Sequence, residues 1–543
     1  MDKLTIASQF RSEMVEKRPL LEELREISRL MDPTILPPED TKPSDALPHN
    51  YQSEGARLGS GLTGQILSAA FPVGAPFART EIAPEVKHDE SLTAEQVEEI
   101  EGKIFVRDVI TLATIEGSNG TGGNDSVLGF HAKARNVIEQ VVQLGDCLVR
   151  MDPDFGLTTF RPDDYTVIRS SRGEVLAMTA REGIDLASLD FGVYEKRNVI
   201  KAVGAKTESK FDKLHLNERA GILYTRIEYQ PITAKWNIRQ EVATKGSSAE
   251  SVQIYETDEA VCPYWTVFWK LSSKQHYGTG LGYLNRGDMK MYDFLSQQSG
   301  AFAENASKIH WIVEETATNF DTKRLAMPTG TISRGKVTNG KAVDIACLSS
   351  EKQGDFGIVR AHMQDLRAQL GRAFLDGQGS TRDSERTTKF EVEKVALASL
   401  QNALGGVYPN IADGFQVPLW RRAVAQLEAQ KKMAPLPAGS VKTVSLTGLA
   451  ALSGQVQFNS VRAFAQFIAE LGEQPSQAMH IDKYLAVAAR YLGISEPGLI
   501  KTSKERQADI NQALQTQARQ QAITTGIQTA GKIAETQAAA GGI

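Results

Sequence analysis

The stretch from Leu281 to Leu404 constrains the fold more than any other part of the chain. A helix-length run, Leu281 to Ser307, leads into a short basic strand-and-loop segment, Lys308 to Lys352, and a second amphipathic helix, Gln353 to Leu375, returns from it. In the returning helix Phe356, Val359, Met363, Leu366, Leu370 and Ala373 alternate at spacings of three and four, which draws one narrow apolar seam. Arg360, Arg367 and Arg372 fall off that seam. Such a helix buries one stripe and leaves the rest polar, as in staves packed side by side, though an ordinary hairpin in a monomer has the same pattern. A polar loop, GQGSTRDSERTT, follows, and a capping box of Thr388 with Glu391 opens a further helix running toward LGGVYPNIADGFQVPLW. Between positions 308 and 341 the tip carries Lys308, Lys323, Arg324, Arg334, Lys336 and Lys341 against Glu314, Glu315 and Asp321. Two helices bracketing a basic tip, followed by an Arg-bearing loop, suit a wall that guides something polyanionic.

Composition sets the limits of that idea. With 543 residues, 41% hydrophobic and 23% charged, the chain has material for two to four globular units. A net charge of -5 excludes a protein that coats nucleic acid over its whole surface, so any DNA contact must be local and weak. Cys147, Cys262 and Cys347 are widely spaced, with no CxxC pair and no histidine at ligand spacing; buried thiols are expected rather than disulfides or zinc. No run approaches eighteen apolar residues and the start of the chain lacks an apolar signal core, so a soluble protein without a secretory signal or membrane contact is expected.

Along the chain, Ile6 to Met31 reads as a helix interrupted at Pro19, before a Pro-rich extended stretch. NYQSEGARLGSGLTGQILSAAFP reads as a small-residue helix that turns at Phe71-Pro72 and enters a strand. Helices at Thr93 to Ile115 and Ser126 to Leu144 flank GSNGTGGND. Short strands then run from Cys147 to about Trp269, in CLVRMD, GLTTFRP, YTVIRS, VLAMTAR, ILYTRIEYQ, WNIRQEVAT and YWTVFWKL. The fold class is α+β, mainly helical from Leu281 onward apart from the tip and a patch near Val441 to Leu446. The Gln-, Ala- and Thr-rich C-terminal tail is either a helix that needs neighbours or a disordered end.

Motifs that invite an enzyme lack their context. Gly59 to Gly64 matches GxGxxG, but the polar NYQSEGAR precedes it where a strand is needed, so a packing helix is the better reading. GTISRGK, Gly330 to Lys336, is followed by Val337 where a magnesium-binding hydroxyl belongs, and a strand-turn-strand tip explains it better. Eight scattered histidines without HExxH, and adjacent acids such as Glu314-Glu315, offer no metal or general-base arrangement. No catalytic, cofactor or metal site is expected.

NYQSEGARLGSGLTGQILSAAFP, VCPYWTVFWKLSSKQHYGTGLGYLNRGDMKMYDFLSQQSGAFAENASK and RDSERTTKFEVEKVALASLQNALGGVYPNIADGFQVPLWRRAVAQL carry CPY, YGxG, RxxER and LGGVY in that order. In them the chain resembles the head-to-tail connector, or portal, proteins of short-tailed double-stranded DNA phages. The resemblance implies a phage portal fold that assembles into a ring, usually of twelve copies, with a central channel. Residues 1–280 would form the α+β wing, 281–307 and 353–375 the stem helices, and 308–352 the clip. Residues 376–387 would form the tunnel loop, 388–454 a long helix and return to the wing, and 455–543 a helical crown. A stem helix of about 27 residues would span roughly 40 Å.

The resemblance further implies a place in the virion, at the portal vertex of the head-tail junction, after assembly in the host cytoplasm. The ring would pass double-stranded DNA without reading its sequence during packaging and ejection. Its other partners would be the terminase large subunit, a tail adaptor, capsid and scaffolding proteins, and internal core proteins at the crown. Arg382, Arg386 and Lys389 are then candidates for the channel wall, and Lys323, Arg324, Arg334, Lys336 and Lys341 for clip contacts to motor or tail. The residues leave two alternatives open: a nucleotide hydrolase built on the Gly330 to Lys336 loop, and a helical protein-binding scaffold.

Overall fold

The computed structural model describes residues 5–42, 44–72, 76–82, 94–117, 128–189, 194, 199–200, 220–244, 251–307, 311–313, 337–338, 341–342, 345–347, 353–376, 408–436, 441–445 and 515. In chain order the helices are α1 (Ile6–Leu30), α2 (Glu54–Ala70), α3 (Ala94–Glu116), α4 (Phe130–Gln143), α5 (Leu281–Leu284), α6 (Arg286–Ser307), α7 (Gln353–Ala373), α8 (Tyr408–Ile411) and α9 (Val417–Ala429). The strands are β1 (Ala78–Ile82), β2 (Asp146–Met151), β3 (Leu157–Phe160), β4 (Tyr165–Arg169), β5 (Val175–Asp185), β6 (Ala220–Gln230), β7 (Lys235–Thr244), β8 (Val252–Glu259), β9 (Tyr264–Phe268), β10 (Trp311–Val313), β11 (Val337–Thr338), β12 (Lys341–Ala342), β13 (Ile345–Cys347) and β14 (Val441–Ser445). This is the expected mixture of helix and strand. Two units share the chain: Met1–Val73 with Thr114–Ala434, and Gly74–Ala113 with Pro435–Ile543.

The first unit is organised by two antiparallel sheets, β3-β2-β9 and the meander β4-β5-β6-β7-β8. Their apolar positions meet in a core of Leu148, Phe160, Tyr165, Val167, Met178, Ile227, Ile238 and Tyr264. Alternation along β4 to β7 supplies inward side chains at every second residue, which is how this core could be read from sequence. The edge strand β8 is not among the strands the sequence predicts. Its VQIYETDE carries four charged or amide side chains and pairs on one side only, with β7, so solvent takes the positions that would otherwise have marked it as apolar.

Helix α1 crosses the meander. Thr5 caps it, its hydroxyl accepting from the Ser8 amide. Contrary to the sequence expectation, Pro19 does not interrupt it. Pro19 lies on the exposed side, and the carbonyl it leaves unpaired, that of Val15, sits on an exposed residue where water can serve it. The opposite face, with Phe10, Leu21, Leu24 and Ile27, is buried continuously, and that packing holds the helix through the break.

The GxGxxG stretch lies inside α2 as a packing surface. A Cβ on Gly59 would sit 2.9 Å from the Met31 Cε and 3.2 Å from the Gln143 amide nitrogen, whereas one on Gly61 or Gly64 would meet nothing. Phe71, at the end of α2, packs edge-on against Phe130 and Phe415, which ties α2 to α4 and to the segment before α9. That segment, Ala412–Gln416, is a π-helical turn. Pro418 has no N–H to offer the Gly414 carbonyl, and the register widens just ahead of it, with the Val417 amide meeting the Ala412 carbonyl.

In the second unit β1 pairs with β14 antiparallel, Ala78 opposite Ser445 and Ile82 opposite Val441. The Asp108 carboxylate of α3 accepts the Thr80 amide at 3.0 and 3.2 Å.

Candidate functional site: the helical hairpin and its anchor

Helices α6 and α7 run as the expected hairpin. Phe356, Val359, Met363, Leu366 and Leu370 are the shielded positions of α7, with Phe374 buried just beyond its end, and Phe302 of α6 stacks on Phe356 at 4.7 Å. Arg360, Arg367 and Arg372 are exposed, as their place off the seam requires. The sequence expected one helix from Leu281; the structure breaks it at Asn285, whose side-chain amide donates to the Leu281 carbonyl at 2.9 Å and competes with the helical ladder. At the far end, β10 pairs with β13 and β11 with β12, Thr338 opposite Lys341. Val337 therefore starts a strand where a phosphate-binding loop would start a helix, and Gly330 to Lys336 lie outside the described residues.

Of the candidate site residues, Lys323, Arg324, Arg334, Lys336, Arg382, Arg386 and Lys389 lie outside the described residues, as does the Thr388 capping box. Lys341 is placed in β12 by its backbone.

The base of the hairpin is anchored where YGxG meets the turn after α4. Gly145 has φ +104°, and a Cβ there would sit 2.2 Å from the Gly280 nitrogen; a Cβ on Gly278 would sit 2.3 Å from the Gly145 carbonyl oxygen. Two backbone segments thus pass at a separation that only glycine permits. Next to this crossing Asp146 is buried and accepts from the Tyr165 hydroxyl at 2.8 Å and the Gly278 amide at 3.0 Å. Arg169 lies 3.9 Å from it. Burial pushes the Asp146 carboxyl above its ordinary value, while Arg169 and the Tyr165 hydroxyl pull it down.

Lys17 of α1 enters from the other side. Its Nζ donates to the Pro162 and Tyr165 carbonyls at 2.7 and 2.8 Å and lies over the rings of Tyr165 and Tyr277. Burial lowers its pKa to about 7, against the pull of Asp146, Asp163 and Asp164. The folded chain then holds Lys17 neutral between about pH 7 and its ordinary 10.5, where the unfolded chain still binds the proton. Relative to a Lys17→Met variant, the wild type should gain stability as pH rises through that window, and the difference should be level below pH 7. Denaturation of both full-length proteins across the range measures this; a difference that stays flat or shrinks above pH 7 would reject it.

Ion pairs that the sequence does not predict clamp α6 to the body. Arg286 and Lys290 of α6 meet Glu23 and Glu26 of α1 at 3.2 and 2.6 Å. The Asp293 carboxylate takes Arg29 at 3.5 Å and the Tyr51 amide at 2.8 Å. The only sequence signal was complementary spacing, i,i+3 acids on α1 facing i,i+4 bases on α6.

The hairpin also carries apolar side chains with nothing over them. Leu284, Met291 and Phe294 are 56%, 45% and 54% exposed at spacings of seven and three, and Ile358 of α7 is 71% exposed. Among the described residues there is no cluster of three or more metal-ligating side chains, Cys147 and Cys262 are free thiols, and no helix is long and apolar enough to cross a membrane.

The family described as bacteriophage head to tail connecting protein matches residues 5–500. The chain is 24% identical over 495 residues to the portal protein of Enterobacteria phage T3, covering 88% of this chain and 84% of that one. To the portal protein of Escherichia phage T7 it is 23% identical over 498 residues, covering 88% and 85%. A solved structure described as the neck of an empty GTA particle aligns over 84% of this chain and 89% of that chain, with 10% identity and a TM-score of 0.38, too slight a likeness to argue from.

Proposed function

Because the chain belongs to the family of bacteriophage head to tail connecting proteins, we propose that it works as a closed ring through which double-stranded DNA enters and leaves the capsid. Its function is that of the portal protein joining head to tail, and its family is one of structural rather than enzymatic proteins. The ring, its subunit number and its division into wing (1–280), stem (281–307 and 353–375), clip (308–352), tunnel loop (376–387) and crown (455–543) belong to this proposal. So does the absence of catalytic activity.

The observation that carries the ring is the bare apolar stripe Leu284, Met291 and Phe294, with Ile358 on the neighbouring helix. A monomer in water gains nothing from displaying this group of aliphatic and aromatic side chains, whereas an adjacent copy would bury them. Native mass measurement and electron microscopy of the purified protein test the proposal: a closed ring with a central hole supports it. A small species that hydrolyses ATP supports the nucleotide hydrolase, and a small inert one the scaffold. Phe294→Glu should leave helix content unchanged but shift rings to monomers or open fragments, since a charge replaces an aromatic anchor of the interface. Rings of unchanged stability in that variant would mean that the stripe lies outside the interface.

Residues 308–352 would meet the packaging motor and later the tail adaptor. Charge reversal at Lys323 and Arg324 should then give rings that fail to engage one or both, scored by DNA-filled heads and by attached tails. Normal packaging and normal tails together would move the contact elsewhere.

A further inference from the structure

The end of α7 is built unlike an ordinary helix stop. Leu375 has φ +60°, the left-handed conformation that glycine usually supplies at the first residue past a helix. The Asp376 amide returns to the Gly371 carbonyl at 2.8 Å and the Leu375 amide to the Arg372 carbonyl at 3.3 Å, the paired bonds of a left-handed helix cap. In such caps the residue after the left-handed one usually makes an apolar contact back to the helix; here it is Asp376, whose carboxylate meets Arg57 of α2 at 2.8 Å. Arg57 is held at 2.8 Å by Glu54, and Glu54 also takes Arg367 of α7 at 2.8 Å. Glu54 is the shielded member, while Arg57, Arg367 and Asp376 are half open to solvent. A leucine that pays a steric penalty and an aspartate that replaces an apolar contact are both held by this four-residue cluster.

We infer that Arg57 is a positioning residue: through Asp376, and backed by Glu54 and Arg367, it fixes the left-handed turn at Leu375 and so the point and direction at which the chain leaves the stem helix. This rests on the portal reading for its consequence, because the segment that starts there, 376–387, is the one proposed to face DNA. The cap holds a leucine in the left-handed region and its ionic tether is half open to solvent, so ions in solution weaken the hold on the Leu375 turn. High salt and loss of either charge act in the same direction.

The test uses full-length protein assembled in particles, with Arg57→Gln, Asp376→Asn, Leu375→Gly and the charge-exchanged pair Arg57→Glu with Asp376→Arg. Arg57→Gln and Asp376→Asn should form rings in normal yield, exchange the Leu375 and Asp376 amides roughly two- to fivefold faster, and lower the yield of heads that retain DNA severalfold. The exchanged pair should recover much of both losses. Leu375→Gly, which keeps the turn without strain, should make the Arg57→Gln substitution nearly harmless to amide exchange. Unchanged exchange in Arg57→Gln overturns the inference. So does an exchanged pair that recovers nothing, or a loss of rings in Arg57→Gln, which would make the residue structural. A protein that never forms rings would instead refute the portal reading, while the amide exchange would still report on the cap.

Discussion

Gly145→Ala should yield almost no soluble, folded protein. Two independent penalties act at that position. The φ of +104° is one that side chains rarely adopt, and the added methyl would lie 2.2 Å from the Gly280 nitrogen and 2.5 Å from the Thr279 carbonyl carbon. Both neighbours are backbone, so no rotamer change can relieve the overlap. To make room the two segments must separate, which also breaks the bond from the Gly278 amide to Asp146 and leaves a buried carboxylate short of a donor. A cost above about 4 kcal/mol is expected, a large share of the roughly 5–15 kcal/mol that holds an ordinary domain together. Gly278→Ala, with its methyl 2.3 Å from the Gly145 carbonyl oxygen, should behave the same way. Gly61→Ala and Gly64→Ala, whose methyls meet nothing, should be neutral or stabilising by about 0.5–1 kcal/mol because alanine favours helix. Soluble yield and denaturation midpoints decide it: a Gly145→Ala protein that melts within a few degrees of wild type would show that the crossing gives way easily.

The largest functional effect is expected from Arg382→Ala combined with Arg386→Ala. Three small residues, Gly377, Gly379 and Ser380, precede Arg382, and a capping box at Thr388 follows. In a ring each arginine is repeated around the channel, where sequence-independent phosphate contacts add up and weaken as salt rises. The double variant should form normal rings and proheads, yet retain packaged DNA at least roughly tenfold less well, with the deficit widening at low salt, where the wild type holds best. Full-length DNA packaged and held at wild-type levels would remove any such role from the loop. Absence of rings would mean that the two arginines bind protein rather than DNA.

Much of the hairpin is legible in the sequence alone. The seam of α7 was written in spacings of three and four, and the structure shields those residues and exposes Arg360, Arg367 and Arg372. The same local logic identified the Gly59 motif as helix packing and assigned seven of the strands between Cys147 and Trp269. Where the reading failed, a distant partner decided the outcome. The chemistry of Pro19 predicts a break because it forbids a helical bond, but the opposite face of α1 is buried on both sides of it, Phe10 against Tyr224 and Ala243 of the sheet and Ile27 beside Gly282 of α5. β8 leaves no strand signal in the sequence because an edge strand is allowed to be polar.

What the sequence determined by itself is whatever a single element shows in its own periodicity: which faces are apolar, which loops are polar, and which motifs lack the neighbours their chemistry needs. The order of CPY, YGxG, RxxER and LGGVY was legible too, as a resemblance to a family rather than as periodicity. Only the tertiary structure decided why YGxG must be glycine at its second position and why Arg57 matters. The first answer is set by a backbone crossing with Gly145, 133 positions earlier in the chain. The second is set by an ion pair to a residue 319 positions away. Contacts of such sequence separation leave no periodic trace in either segment, because each partner looks locally like an ordinary glycine or an ordinary surface arginine until folding brings the two together.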